Sequence, residues 1–300
     1  MPTILRKKAM QQHPTVSRRH LRFTMRAISC VALGFSLSQV AAGAQGPAPG
    51  IALASVALPD APIPRSAPPV PASDASDVTV RNSLNIFFHD QGAIWTSPAR
   101  LRTHDLEWLL PLAAATGAAI ATDHRVQSQV VSKNPSFNNN NVNVSDGLIY
   151  GFVAAPVALF AAGHLKQDEH AREAGILGGE ALVDGLVVEQ GLKLVFWRER
   201  PTVDNSRGRF FQSGAGADGS FPSAHSTLAW SAASAIAGEY PSPWIQATAY
   251  TGATAVSLTR VLGRQHFPSD VLVGAATGWL IGHYVVRHHH RPLKKLISHQ

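Results

Sequence analysis

HAREAGILGGEALVDGLVVEQGLKLVFWRE, residues 170–199, is the stretch whose periodicity decides the fold. Ile176, Leu177, Val183, Val187 and Leu194 recur at helical spacing and alternate with Glu180, Asp184 and Glu189, the pattern of one amphipathic helix. Outward from it the chain reads as helix after helix, over 82–95, 105–122, 147–165, 224–238, 243–262 and 269–287. Gly and Ala are abundant and β-branched runs are few, which favours closely packed helices over sheets. The expected fold class is therefore all-α, a helical bundle.

Three segments, Trp108–Thr122, Gly147–Leu165 and Val271–Val286, are nearly uncharged. They run at or below the roughly 20 residues that span a bilayer, and Ala and Gly dilute them, so the expectation is buried core helices. Glu180, Asp184 and Glu189 argue the same way, because lipid-facing segments rarely carry acids. A protein exported to the periplasm is expected, with an inner-membrane protein whose active site faces the periplasm as the alternative.

The ends differ from the body. Residues 1–44 place Arg18, Arg19, Arg22 and Arg26 before a short apolar run and then Ala42-Gly43-Ala44, the order of an export signal. Residues 45–80 form a Pro/Ala-rich disordered linker, with eight prolines between Gln45 and Ala72. The helical domain is expected over 81–287 and a basic tail over 288–300. Asn138-Asn139-Asn140-Asn141 reads as a surface loop. The single cysteine, Cys30, lies inside the signal, so a mature chain has no thiol for disulfides, catalysis or zinc. The net charge of +7 is carried by the termini, leaving the body mildly acidic, which speaks against a nucleic-acid partner.

Three islands hold the unusual chemistry. In Lys193–Pro201, Lys193 and Arg200 are seven apart and are expected on one helix face, with Pro201 ending that helix at Arg200. In Gly219–Ser226, a Ser-Phe-Pro-Ser run opens a helix, and free N–H groups there would face an anion above Ser223 and Ala224. His225 follows in the first turn. In Thr259–Asp270, His266 and Asp270 are four apart around a Pro-started helix. A carboxylate accepting from one imidazole nitrogen would present the other as a nucleophile. Each island alone also fits a structural role: a solvated basic face, a capped helix, a core His/Asp pair.

In order, the islands read Lys-x6-Arg-Pro, Pro-Ser-Ala-His and Thr-Arg-x5-His-x3-Asp. This resembles the three-part signature of the type 2 phosphatidic acid phosphatase superfamily, which includes bacterial acid phosphatases and vanadium haloperoxidases. The resemblance implies that Lys193, Arg200 and Arg260 clamp phosphate oxygens, with Ser223 and the Ala224 amide as further donors. It implies His266 as the nucleophile that forms a phosphohistidine, Asp270 as the group that orients it, and His225 as the general acid. The activity implied is hydrolysis of a lipid, isoprenoid or small-molecule phosphomonoester, with no metal and no cofactor and with membrane association left open. The alternatives are a vanadium haloperoxidase and an inactive phosphate-binding member. Ala224 and Thr259 depart from the usual Gly and Ser of the pattern. An Ala at that position would be strained if its φ were positive.

Overall fold

A computed structural model describes residues 78–212 and 218–289. The export signal and almost all of the linker lie outside the described residues, as does the tail beyond His289. Seven α-helices carry the described fold: α1 Ser83–Thr96, α2 Leu106–Arg125, α3 Pro135–Lys166, α4 Glu169–Phe196, α5 Ala224–Glu239, α6 Pro243–Leu262 and α7 Pro268–His289. No strand occurs among the described residues. The all-α expectation holds, with most helix ends within three residues of those read from the sequence.

Two boundaries do not. Asn138–Asn141 is not a loop but part of α3, which begins twelve residues earlier than expected. Asn134 caps it, its side chain accepting from the Ser136 and Phe137 amides, and Pro135 takes the first position, where a missing N–H costs nothing. The helix α4 stops at Phe196, before Pro201 can end it. Trp197 turns left-handed at φ 40°, and its amide closes on the Lys193 carbonyl. Arg200 is therefore off the helix and shares no face with Lys193.

At the centre of the bundle is α5, whose Ala229, Ala232, Ala233, Ala235 and Ala237 are buried. One side packs with Leu177, Ala181 and Val188 of α4 and Ile281 and Val285 of α7. The other packs with Ile149 of α3 and Ala253 and Val256 of α6. Against α7 the approach is closest. A Cβ on Gly274, Gly278 or Gly282 would lie 2.8, 2.1 or 2.3 Å from the backbone oxygens of Ser223, Thr227 and Ser231 respectively. Both series advance by four residues in the same sense, so α5 and α7 run parallel in backbone contact. Only glycine permits this.

Apart from Leu177, which is in the core, the amphipathic helix does not face the way its apolar stripe suggests. Glu180, Asp184 and Glu189 are buried, while Val183, Val187 and Leu194 are exposed. Asp184 accepts from Gln91 of α1 at 2.8 Å, and Asp90 of α1 meets His289 at 2.9 Å, so the acids pin α1 to the bundle. Of the three uncharged segments, only that in α7 is a core helix. Tyr150, Val153, Val157 and Leu165 of α3 and Trp108 and Leu110 of α2 are exposed. α3 is long and apolar enough to cross a membrane, and only 17% of its most apolar window is buried.

Candidate active site

The parallel pairing of α5 and α7 sets two helix N-termini side by side. The Ser223 amide donates to the Asp270 carbonyl at 3.1 Å, fastening one start to the other. Ser223 is the N-cap of α5, its Oγ accepting from the Ser226 amide. Ala224 opens the helix without a positive φ, so its methyl brings no backbone strain. The C-terminal turns of α4 and α6 reach the same place with Lys193 and Arg260. Arg200 comes from the segment after α4, its Nε donating to the Asp218 carbonyl at 3.0 Å.

His266 stands where these elements meet and is almost fully buried. Its Nδ1 lies 2.7 Å from the Ser220 carbonyl. A carbonyl only accepts, so Nδ1 carries the hydrogen and Nε2 the lone pair. Burial pushes its proton affinity well below the usual histidine value, and Arg200, Arg260 and Lys193 push in the same direction. The ring is neutral, with an unprotonated Nε2 among three cations.

The expected pairing of His266 with Asp270 is corrected here. Nδ1 is 3.7 Å from Asp270 Oδ2, too long for a hydrogen bond. Both carboxylate oxygens are taken elsewhere. Oδ2 accepts from the Phe267 amide at 2.7 Å, the third-residue half of a capping box, and Oδ1 meets Arg198 Nη1 at 2.6 Å. Burial raises Asp270 to about 6 despite that arginine. The Ser220 carbonyl fixes the imidazole instead.

Sequence reading missed the layer behind the site. Arg198 is buried between the rings of Phe210 and Phe267, 4.5 and 4.2 Å from their centroids. It bonds Asp270, Ser269, the Gly208 carbonyl and, through Nη2 at 2.7 Å, Asp123 of α2. Gln127 donates to the His266 carbonyl at 2.9 Å and steadies the turn before α7. Nothing in the spacing of Asp123 or Gln127 marks them in the sequence, since Asp123 lies 75 residues from Arg198 and Gln127 lies 139 from His266.

His225 is only partly buried. Its Nε2 sits 3.0 Å from Asp146 Oδ1 of α3, another residue that sequence reading passed over. Burial, then Arg260, lowers its pKa to about 4, with Asp146 opposing them. Arg260 Nη1 reaches Ser145 Oγ and Asp146 Oδ1, at 3.1 and 3.0 Å. Its buried Nε has no hydrogen-bond partner among the described residues, a donor waiting for an acceptor. Lys193 pairs with buried Glu189 at 2.9 Å. Among the described residues no group of acids, histidines or cysteines is arranged to hold a metal ion.

Converging helix ends, three cations and a neutral histidine on an all-α scaffold together make up one candidate site. Residues 174–293 match the family model described as the PAP2 superfamily. That stretch is similar to the superfamily, the type 2 phosphatidic acid phosphatase kind that the three islands resemble. The chain is 27% identical over 219 residues to a lipid A 1-phosphatase of Porphyromonas gingivalis, covering 71% of this chain and 44% of that protein. The chain thus spans less than half the length of that relative. A crystal structure of a transmembrane PAP2 type phosphatidylglycerolphosphate phosphatase from Bacillus subtilis is similar at 18% identity and a TM-score of 0.40. The match covers 68% of this chain and 92% of that one.

Proposed function

We propose that this chain is a metal-independent phosphomonoesterase acting on a phosphorylated lipid at a membrane through a phosphohistidine. The observation that carries the reading is the hydrogen bond from His266 Nδ1 to the Ser220 carbonyl, which leaves an unprotonated Nε2 with a free lone pair among Lys193, Arg200 and Arg260. The cations and the α5 N-terminus hold the phosphoryl oxygens, and the unpaired Arg260 Nε gains an acceptor. Nε2 then bonds to phosphorus as the ester P–O bond breaks, and His225 gives the departing oxygen a proton. In the second half His225 takes a proton from water, whose oxygen bonds to phosphorus as the P–Nε2 bond breaks. Alcohol and inorganic phosphate leave, and both histidines regain their starting protonation.

A lipid is favoured over a small soluble ester by the exterior. The acids of α4 face inward while Val183, Val187 and Val195 face outward, and the apolar flank of α3 is uncovered. Charged groups inside and apolar groups outside suit a hydrocarbon surround. The related lipid A 1-phosphatase agrees with such a substrate. The test is phosphate release from phosphatidic acid in mixed micelles containing EDTA, with rapid quench to trap label on histidine. Release by the wild type, and a loss of at least about 10³-fold in His266→Ala, is expected from removal of a covalent route. Substantial turnover by His266→Ala, or label on Ser223, overturns the mechanism.

A further inference from the structure

We infer that Asp146 is a positioning residue for the general acid, an inference that rests on the phosphatase reading above. It sits in α3, where the Asn-rich first turns give way to the apolar span, far in sequence from the three islands. One oxygen, Oδ1, touches both His225 Nε2 of α5 and Arg260 Nη1 of α6, each at 3.0 Å. Ser145 beside it takes the same Nη1 at 3.1 Å, so α3 carries a two-residue bracket for the guanidinium.

A carboxylate in a pocket built for a dianion works against binding, because it repels the substrate and occupies one of its cations. Its use is therefore in the chemistry. With Nε2 bound to a carboxylate, that nitrogen keeps its hydrogen and Nδ1 becomes the one that exchanges protons. Burial, Arg260 and Lys193 all disfavour a charged His225, and Asp146 is the neighbour that favours it. A phosphate monoester arriving as its monoanion gives its proton to Nδ1 of the neutral ring; Nδ1 passes it to the leaving alkoxide as P–O breaks, then recovers one from the attacking water and returns it to the departing phosphate. Asp146 keeps the same charge throughout and steadies the imidazolium before transfer and after recovery. The arrangement holds a histidine in one tautomer by a partly exposed carboxylate, 42% accessible, which can be altered without opening a core.

The experiment compares the wild type with Asp146→Asn and Asp146→Ala on an alkyl phosphate and on p-nitrophenyl phosphate, and measures binding of inorganic phosphate. Expected are a fall in kcat on the order of 10²-fold for the alkyl ester, a much smaller one for the nitrophenyl ester, whose leaving group departs unprotonated, and several-fold tighter phosphate binding by Asp146→Asn. A merely structural role would slow both esters alike and weaken phosphate binding, and either result overturns the inference. A wild type that binds phosphate yet hydrolyses neither ester removes the phosphatase reading. The phosphate arm then decides alone whether Asp146 opposes the anion, with weaker binding by Asp146→Asn refuting it.

Discussion

Replacing Arg198 by methionine tests the layer behind the site, because the loss should depend on pH in a calculable way. Methionine fills much of the space between Phe210 and Phe267 but leaves Asp123 and Asp270 without their cation. In the wild type Asp270 titrates at about 6 in place of 3.8. A group whose folded value is raised contributes most below its unfolded value and loses that contribution as pH rises through the folded one. Without Arg198 the carboxyl stays protonated to higher pH. Relative to wild type this costs at most about 1.4 kcal/mol for each pH unit above 6. That is about 3 kcal/mol at pH 8 and close to zero at pH 5. Asp123 is also raised by burial and held down by Arg198, so it adds in the same direction. The Asp270 share alone reaches the lower end of the roughly 3–5 kcal/mol expected when one partner of a buried pair is removed. At pH 5 there remain the lost bonds to Gly208 and Ser269, on the order of 1 kcal/mol each. Denaturant titration of both proteins at pH 5 and pH 8, in one detergent, reads the difference directly. A destabilisation that changes by less than about 1 kcal/mol between the two would refute the reasoning.

Three further substitutions probe the scaffold and its exterior. Gly278→Ala forces α5 and α7 apart, since its Cβ would sit 2.1 Å from the Thr227 carbonyl oxygen; displacing His225 from His266 by about 1 Å should cost on the order of 10²-fold in kcat/KM. Gly92→Ala, where nothing lies within 4 Å, should leave activity unchanged and stability equal or higher. Val157→Asp places a charge on the exposed flank of α3, at a cost of about 2.5–3.5 kcal/mol if that flank meets lipid. Carbonate extraction should then release more of the variant than of the wild type, and equal retention would count against membrane embedding.

Helix identity and the three motifs were legible because both are local. Period 3.6 gives the first, and short fixed spacings such as His266 to Asp270 give the second. The orientation of α4 was not. Its periodicity separates a valine stripe from an acid stripe but cannot say which one faces inward, and in this bundle the acids do. That removes the argument that the acids of α4 count against a membrane. The Asn run misled for a related reason, because a weak helix preference yields to a strong cap at Asn134-Pro135. The ion pairs and hydrogen bonds that link Asp146, Asp123 and Arg198 to the site cross more than 70 residues, which no spacing reveals. The His266 and Asp270 spacing was read correctly as proximity and wrongly as a hydrogen bond, since the capping amide and Arg198 compete for the same carboxylate.

The parallel contact of α5 with α7 has a cost for the empty protein. Two positive helix ends lie abreast, with three cations beside them, and like poles repel. The glycine ladder holds them together by close packing against that repulsion. A bound dianion cancels it, so inorganic phosphate should act as a structural counterion and raise the melting temperature. The gain should be largest at low ionic strength, where nothing else screens the paired ends.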